Sequence, residues 1–220
     1  MYFSEKRGQK PKDWKPPQEY KSITYPFFLK YAESLETDSS PSADMAGSKG
    51  LYYMIFSATE GLQTSWIKDS LPFFTKSQPS FFIVDSHGFK GINCRFGMKG
   101  VNAAAHYDGG RNFIAMIRGR KRYILSPPSE CSHLSLLPRG HPSARHSTVN
   151  WSDLDEVRRN EAFYSAKATE AIISSGDILY IPSYYFHYIV SQDASIQCNA
   201  RSGSPDNEDR QMISKCGFYK

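Results

Sequence analysis

The sequence predicts a mainly β protein, a double-stranded β-helix or jelly roll with a few flanking helices. Three observations carry that prediction. From Phe81 onward, short runs rich in Tyr, Phe, Ile and Val alternate with Gly and Pro, the texture of strands joined by turns. No repeat of fixed period interrupts that texture. Finally, His106, Asp108 and His187 fall on strand candidates far apart in sequence, which an open-ended barrel can bring to one point.

The elements follow in order. Residues 1–22 are rich in Lys, Pro and polar side chains, and Pro11, Pro16 and Pro17 discourage regular structure. This opening lacks a capped, self-contained start, as expected of a chain beginning part-way through a larger domain. Residues 23–220 read as one domain, a length that supports a substantial core. Thr24 to Glu36 is predicted to be a short amphipathic helix with Thr24 as N-cap, Pro26 in the first turn and Phe27, Phe28, Tyr31 and Leu35 apolar. Thr37 to Lys49 is a polar loop, Leu51 to Phe56 a strand, and the chain through Leu71 a short helical or irregular stretch. Strands are expected at Phe81–Val84, Ile92–Phe96, Asn112–Ile117 and Arg120–Leu125, the last two forming a hairpin about Arg118-Gly119. Gly100 to Tyr107 leads into His106. After Pro127-Pro128 comes a long loop to about Asn150, and its His133, His141 and His146 read as surface residues without metal spacing. Ser152 to Arg159 is predicted helical with Ser152 as cap. Thr169–Ile173, Asp177–Ile181, His187–Val190 and Ser195–Asn199 complete the strands.

Bulk properties narrow the class. The net charge is +5, concentrated in the N-terminal segment and in Arg111 to Arg122, and a solvated basic face is the default reading, so a nucleic-acid partner is not indicated. Cys94, Cys131, Cys198 and Cys216 are scattered with no C-x-x-C pair, which argues against a zinc knuckle and makes a disulfide framework improbable. No apolar run is long enough to span a membrane and no leader pattern is present, so an intracellular compartment, cytoplasm or nucleus, is the simplest expectation.

The chemistry lies in His106-Tyr-Asp108 and His187. Residues two apart on a strand project to one face, so His106 and Asp108 can address the same spot. A second imidazole from a distant strand completes two histidines and one carboxylate, the set that holds non-haem Fe(II) and leaves coordination positions open. An H-x-D alone is common by chance, and a lone His187 could be satisfied by backbone. The small residues Ala103-Ala-Ala105 before His106, and the Gly176-to-Pro182 segment that positions the strand of His187, favour the metal. Lys121 lies between Arg120 and Arg122. If the arginines face solvent, alternation turns Lys121 inward, where an ammonium demands an anion such as a dicarboxylate; a surface lysine laid along its strand is the alternative. Asn112 and Asn199 are polar at strand positions where apolar residues are ordinary, and either orient a bound group or satisfy a strand edge. Tyr184-Tyr185-Phe186 reads as packing beside His187.

With these residues the chain resembles the JmjC family of Fe(II)/2-oxoglutarate oxygenases, and within it the cupin-8-like group that contains the asparaginyl hydroxylase inhibiting hypoxia-inducible factor. The similarity runs from about Leu51 to Gly203. It is strongest at Gly97–Gly100, Ala105–Asp108, Asn112-Phe113, Gly119–Leu125, Pro127-Pro128, His141-Pro142 and Gly176–Pro182. The resemblance implies His106, Asp108 and His187 as iron ligands, Lys121 as partner of the distal carboxylate of 2-oxoglutarate, and Asn112 and Asn199 as further active-site groups. It implies Tyr52 as a second contact to that carboxylate, although Tyr53 could align instead. Dioxygen is the remaining cosubstrate. Two departures stand out. Ala103 replaces a cosubstrate-binding threonine, and Asn199 is followed by Ala-Arg-Ser-Gly rather than an aromatic continuation. The dimerising C-terminal helices are largely absent, so substrate and oligomeric state are not carried over.

The expected activity is hydroxylation of a protein side chain, with 2-oxoglutarate decarboxylated to succinate. N-methyl-lysine demethylation by the same chemistry is one alternative, and a non-catalytic β-barrel binding module is another.

Overall fold

The structure, a computed structural model, describes residues 9–37, 50–57, 91–203, 205 and 207–217. The strand expected at Phe81–Val84, the stretch from Ala58 to Leu71 and most of the Thr37–Lys49 loop lie outside those residues.

Helix α1 (Tyr25–Glu36) begins where Thr24 Oγ1 accepts the Phe27 N–H at 3.4 Å, so the predicted cap supplies one of the acceptors that a helix start lacks. Its apolar face buries Phe28, Tyr31 and Ala32 against Met98. Nine strands follow among the described residues: β1 (Tyr53–Ser57), β2 (Ile92–Gly97), β3 (Asn102–Tyr107), β4 (Arg111–Arg118), β5 (Arg120–Ser126), β6 (Thr169–Ser174), β7 (Ile178–Ile181), β8 (Phe186–Ser191) and β9 (Ser195–Ser202). They form two antiparallel sheets, ordered β1-β2-β9-β4-β7 and β3-β8-β5-β6. Ile114 and Met116 of the first sheet, with Ile181, pack against Tyr123 and Ile173 of the second. This is the expected mainly β, two-sheet architecture. No helix among the described residues is long and apolar enough to cross a membrane.

Several local expectations need correction. β4 and β5 do not form a hairpin, because they belong to different sheets. One residue, Gly119, links them, and it carries the chain from one sheet to the other at φ +75°. A side chain there would run into the Ala194 carbonyl, so both conformation and space demand glycine. The helix expected from Ser152 starts at Leu154 (α2, Leu154–Arg159). Its cap is Asp153, whose Oδ1 accepts from the N–H groups of Asp155 and Glu156 at 3.0 Å. Two further helices, α3 (Glu161–Tyr164) and α4 (Asn207–Lys215), were not expected.

The cysteines are the largest correction. Cys94 faces Cys198 across the β2–β9 pair and is joined to it, and Cys131 is joined to Cys216. Partners 104 and 85 residues apart show no motif in sequence, yet the sheet order makes the first pair immediate neighbours. Both pairings run against the expectation that a disulfide framework is improbable.

Candidate metal centre

His106 and His187 sit directly opposite one another on β3 and β8. Their rings are 4.3 Å apart, and a register shift between Ala103 and His106 sets the angle at which β3 presents its histidine. Asp108 follows the end of β3. Its carbonyl accepts the Tyr184 N–H at 2.8 Å, which ties the chain just before His187 to the chain just after His106. Tyr184 is wholly buried and holds φ 60°, an uncommon conformation for a tyrosine, fixed here by that bond and by packing on Tyr107.

Ligand atoms of His106, Asp108 and His187 all lie within 4.8 Å of one another. Each histidine spends Nδ1 on a backbone carbonyl, His106 on Ala104 O at 2.7 Å and His187 on Tyr185 O at 2.9 Å. That fixes the tautomer and leaves each Nε2 lone pair for the shared centre. Asp108 Oδ2 lies 3.8 Å from His187 Nε2 and is buried without a hydrogen-bond donor aligned to it. Two imidazole nitrogens and one buried carboxylate oxygen fit a divalent metal such as Fe(II).

The charges reinforce this state. Burial, and the positive charge each would meet on its neighbour, keep the His106 imidazole well below its ordinary pKa; burial also lowers that of His187, so both are neutral donors near pH 7. Burial pushes the Asp108 carboxyl up, but the two imidazoles and the guanidinium groups of Arg201 and Arg145 outweigh it and hold the group ionised. Arg145 Nη1 lies 2.6 Å from Oδ1 and Arg201 Nη2 lies 2.6 Å from Oδ2.

Lys121 is buried, while Arg120 and Arg122 reach outward to Asp193 and Glu170 at 2.8 Å. No carboxylate of the described residues pairs with its ammonium, and burial together with nearby Arg95 pushes its pKa down to about 8. Gly97 opens the space in front of it. A Cβ added at Gly97 would stand 3.2 Å from Ser191 Oγ, 3.6 Å from Ser195 Oγ and 3.8 Å from Lys121 Nζ. A cation and two hydroxyls gathered at a residue without a side chain suit a carboxylate.

A buried polar network shares this interior, and its Arg95 lies within electrostatic reach of both Lys121 and Asp108. Asn199 Nδ2 donates to Asn112 Oδ1 at 3.1 Å, and Arg95 donates to Asn199 Oδ1. Tyr123 donates to Gln197 at 2.8 Å, both fully inside. Tyr52 stands apart from this cluster. Its ring packs on Tyr31 of α1 and its hydroxyl lies 3.4 Å from Lys21 Nζ. The next residue, Tyr53, pairs with Gly97 and shares the inner face with Arg95.

The cupin-like domain family matches residues 19–200. The chain belongs to that family. Among curated relatives, the lysine-specific demethylase JMJ31 of Arabidopsis thaliana is 27% identical over 60% of this chain and 25% of its own length. The tRNA wybutosine-synthesizing protein 5 of Gallus gallus is 30% identical over 48% of the chain and 31% of its own length. This cupin-like chain thus spans less than a third of either relative. A solved structure of YcfD, a ribosomal oxygenase from Escherichia coli in complex with cobalt and 2-oxoglutarate, is 19% identical over 58% of this chain and 26% of its own, with a TM-score of 0.35. The family match and the relatives bear out the resemblance to JmjC-type Fe(II)/2-oxoglutarate oxygenases, whose typical donor set is the one found at His106, Asp108 and His187.

Sequence reasoning missed four residues at this cupin-like site. His146 is not a surface residue. It forms a β-bridge with His106 and stacks on its ring at 5.1 Å. His141 is buried as well, whereas His133 is exposed and pairs with Glu130. Arg95, Arg145 and Arg201 converge on the interior from β2, the long loop and β9. Strand alternation from Asn199 could have placed Arg201 inward, but nothing local marks Arg145 or His146.

Proposed function

We propose that this protein is an Fe(II)- and 2-oxoglutarate-dependent dioxygenase that hydroxylates a side chain of a protein or peptide, with residues 23–220 acting as one oxygenase domain. The observation that carries the reading is the convergence of three ligand atoms within 4.8 Å, in a barrel that also buries a lysine with no carboxylate partner among the described residues. Bound together, Fe(II), 2-oxoglutarate and dioxygen supply oxidative decarboxylation to succinate and carbon dioxide, with insertion of one oxygen atom into a substrate C–H bond.

The chain's own residues hold and orient those groups. His106, Asp108 and His187 ligate the metal, with both Nδ1 atoms anchored so that the ligands arrive preorganised. Lys121, with the room left by Gly97, receives the distal carboxylate, whose binding draws the lysine back to its charged form. Asn112 and Asn199, joined to each other, orient polar groups between lysine and metal. The apolar inner layer of Ile114, Met116 and Ile181 keeps water out behind them.

A second reading, N-methyl-lysine demethylation, is favoured by the demethylase name of one relative. Incubation with Fe(II), 2-oxoglutarate and peptide libraries, read by mass, decides among the readings. A gain of one oxygen supports hydroxylation. Loss of a methyl with formaldehyde release supports demethylation. Binding of 2-oxoglutarate without succinate in any reaction would leave a binding module.

A further inference from the structure

The interior carries too many cations for one oxidation site. Lys121, Arg95, Arg145 and Arg201 all face it, and among the described residues Asp108 is the only carboxylate that answers them. The described strands contain a single acid, Glu170, and it is turned outward to Arg122. Crowding shows in Arg95, whose pKa is lowered by burial and by the Arg201 charge beside it. A divalent metal adds two positive charges, and 2-oxoglutarate removes only two.

Arg145 and Arg201 differ from the other two cations in being reachable. Their side chains are 50% and 32% exposed, while the Asp108 carboxylate they grip is 8% exposed. They bracket its two oxygens from opposite ends, as guanidinium groups receive carboxylates elsewhere. A metal held by Asp108 would share the charge of its carboxylate, and Arg145 and Arg201 would then be left with less than a full counter-charge.

We propose that the substrate is an acidic peptide, and that its carboxylate is received by Arg145 and Arg201 beside the metal position. The inference rests on the oxygenase reading and deepens it by naming a substrate class. It also chooses between the two chemistries. A methylated lysine would bring a further cation against two guanidinium groups and a dication, whereas an aspartate or glutamate near the oxidised carbon is drawn in.

The test is calorimetry on protein loaded with Zn(II) and 2-oxoglutarate, which binds without turning over. The probes are an acetylated hexaglutamate, a matched peptide containing trimethyl-lysine, and a uridine RNA hexamer. The acidic peptide should bind at least about tenfold more tightly than the trimethyl-lysine peptide. Arg201→Gln and Arg145→Gln should each weaken it by about fivefold or more, with Arg201→Lys retaining most of the affinity. Because Arg145 is half exposed, its variant keeps the test alive if Arg201→Gln fails to fold. Equal binding of the two peptides, or unchanged binding in both glutamine variants, overturns the proposal. RNA binding tighter than the acidic peptide, lost in the same variants, overturns it in favour of a nucleic acid. Failure of the Zn(II)-loaded wild type to bind 2-oxoglutarate at all would instead remove the oxygenase reading.

Discussion

Asp108 concentrates the chemistry of this site, because it is both a metal ligand and the counter-ion of two arginines. Asp108→Ala should abolish metal uptake, measured by Co(II) titration. Its stability cost should be about 1–2 kcal/mol, between exposed and buried ion-pair values, because Arg145 and Arg201 reach water. Lys121 gives a prediction with a sign. Its folded pKa, about 8, lies below the ordinary 10.5, so the fold penalises the charged form. That penalty is fully present below pH 8 and is relieved as pH rises toward 10.5. The ligand-free protein should therefore gain melting temperature over that window relative to Lys121→Met, while its affinity for 2-oxoglutarate falls. The same melting curves with the methionine variant check the cause, since its stability at pH 7 should exceed wild type. Gly97→Ala fills the space in front of Lys121 and should weaken 2-oxoglutarate binding about tenfold by calorimetry, with metal binding retained. At this scale the triad was legible because His106 and Asp108 share two-residue strand spacing. Arg145 and His146 were not legible, because only the path of a long loop brings them to His106.

The strands were read closely from their apolar alternation and their Gly and Pro punctuation. What failed was connection. Arg118-Gly119-Arg120 looks like a hairpin in sequence, but one linking residue is too few for a two-residue turn, and the chain changes sheets instead. Gly119→Ala would have to hold a positive φ and displace the Ala194 carbonyl, so it should cost about 2–4 kcal/mol, read by urea unfolding. The helix caps show the same limit on a smaller scale. Thr24 was identified because a proline and an apolar period follow it, whereas Ser152 and Asp153 are adjacent cap formers, and only the structure shows Asp153 in use. Tyr52 and Tyr53 pose the equivalent problem on a strand. One residue of register decides which faces the barrel, and the pairing of Tyr53 with Gly97 decides it.

Across the whole molecule, the fold class was legible while the sheet order was not. Neighbours such as β2 and β9, or β3 and β8, are separated by most of the domain, and no local signal reports their pairing. The cysteine pairs were hidden for the same reason. What the topology achieves is convergence: β3 and β8 deliver the metal ligands, β5 delivers Lys121, and β9 lines the space between with Ser195, Asn199 and Arg201. The site should therefore have one linked property, that metal and dicarboxylate bind as a unit. Calorimetric titration of 2-oxoglutarate under nitrogen, with and without Fe(II), tests it most directly. One equivalent should bind tightly only when Fe(II) is present, and His187→Ala should lose that dependence together with the metal. Binding of 2-oxoglutarate that ignores both Fe(II) and His187 would contradict the account.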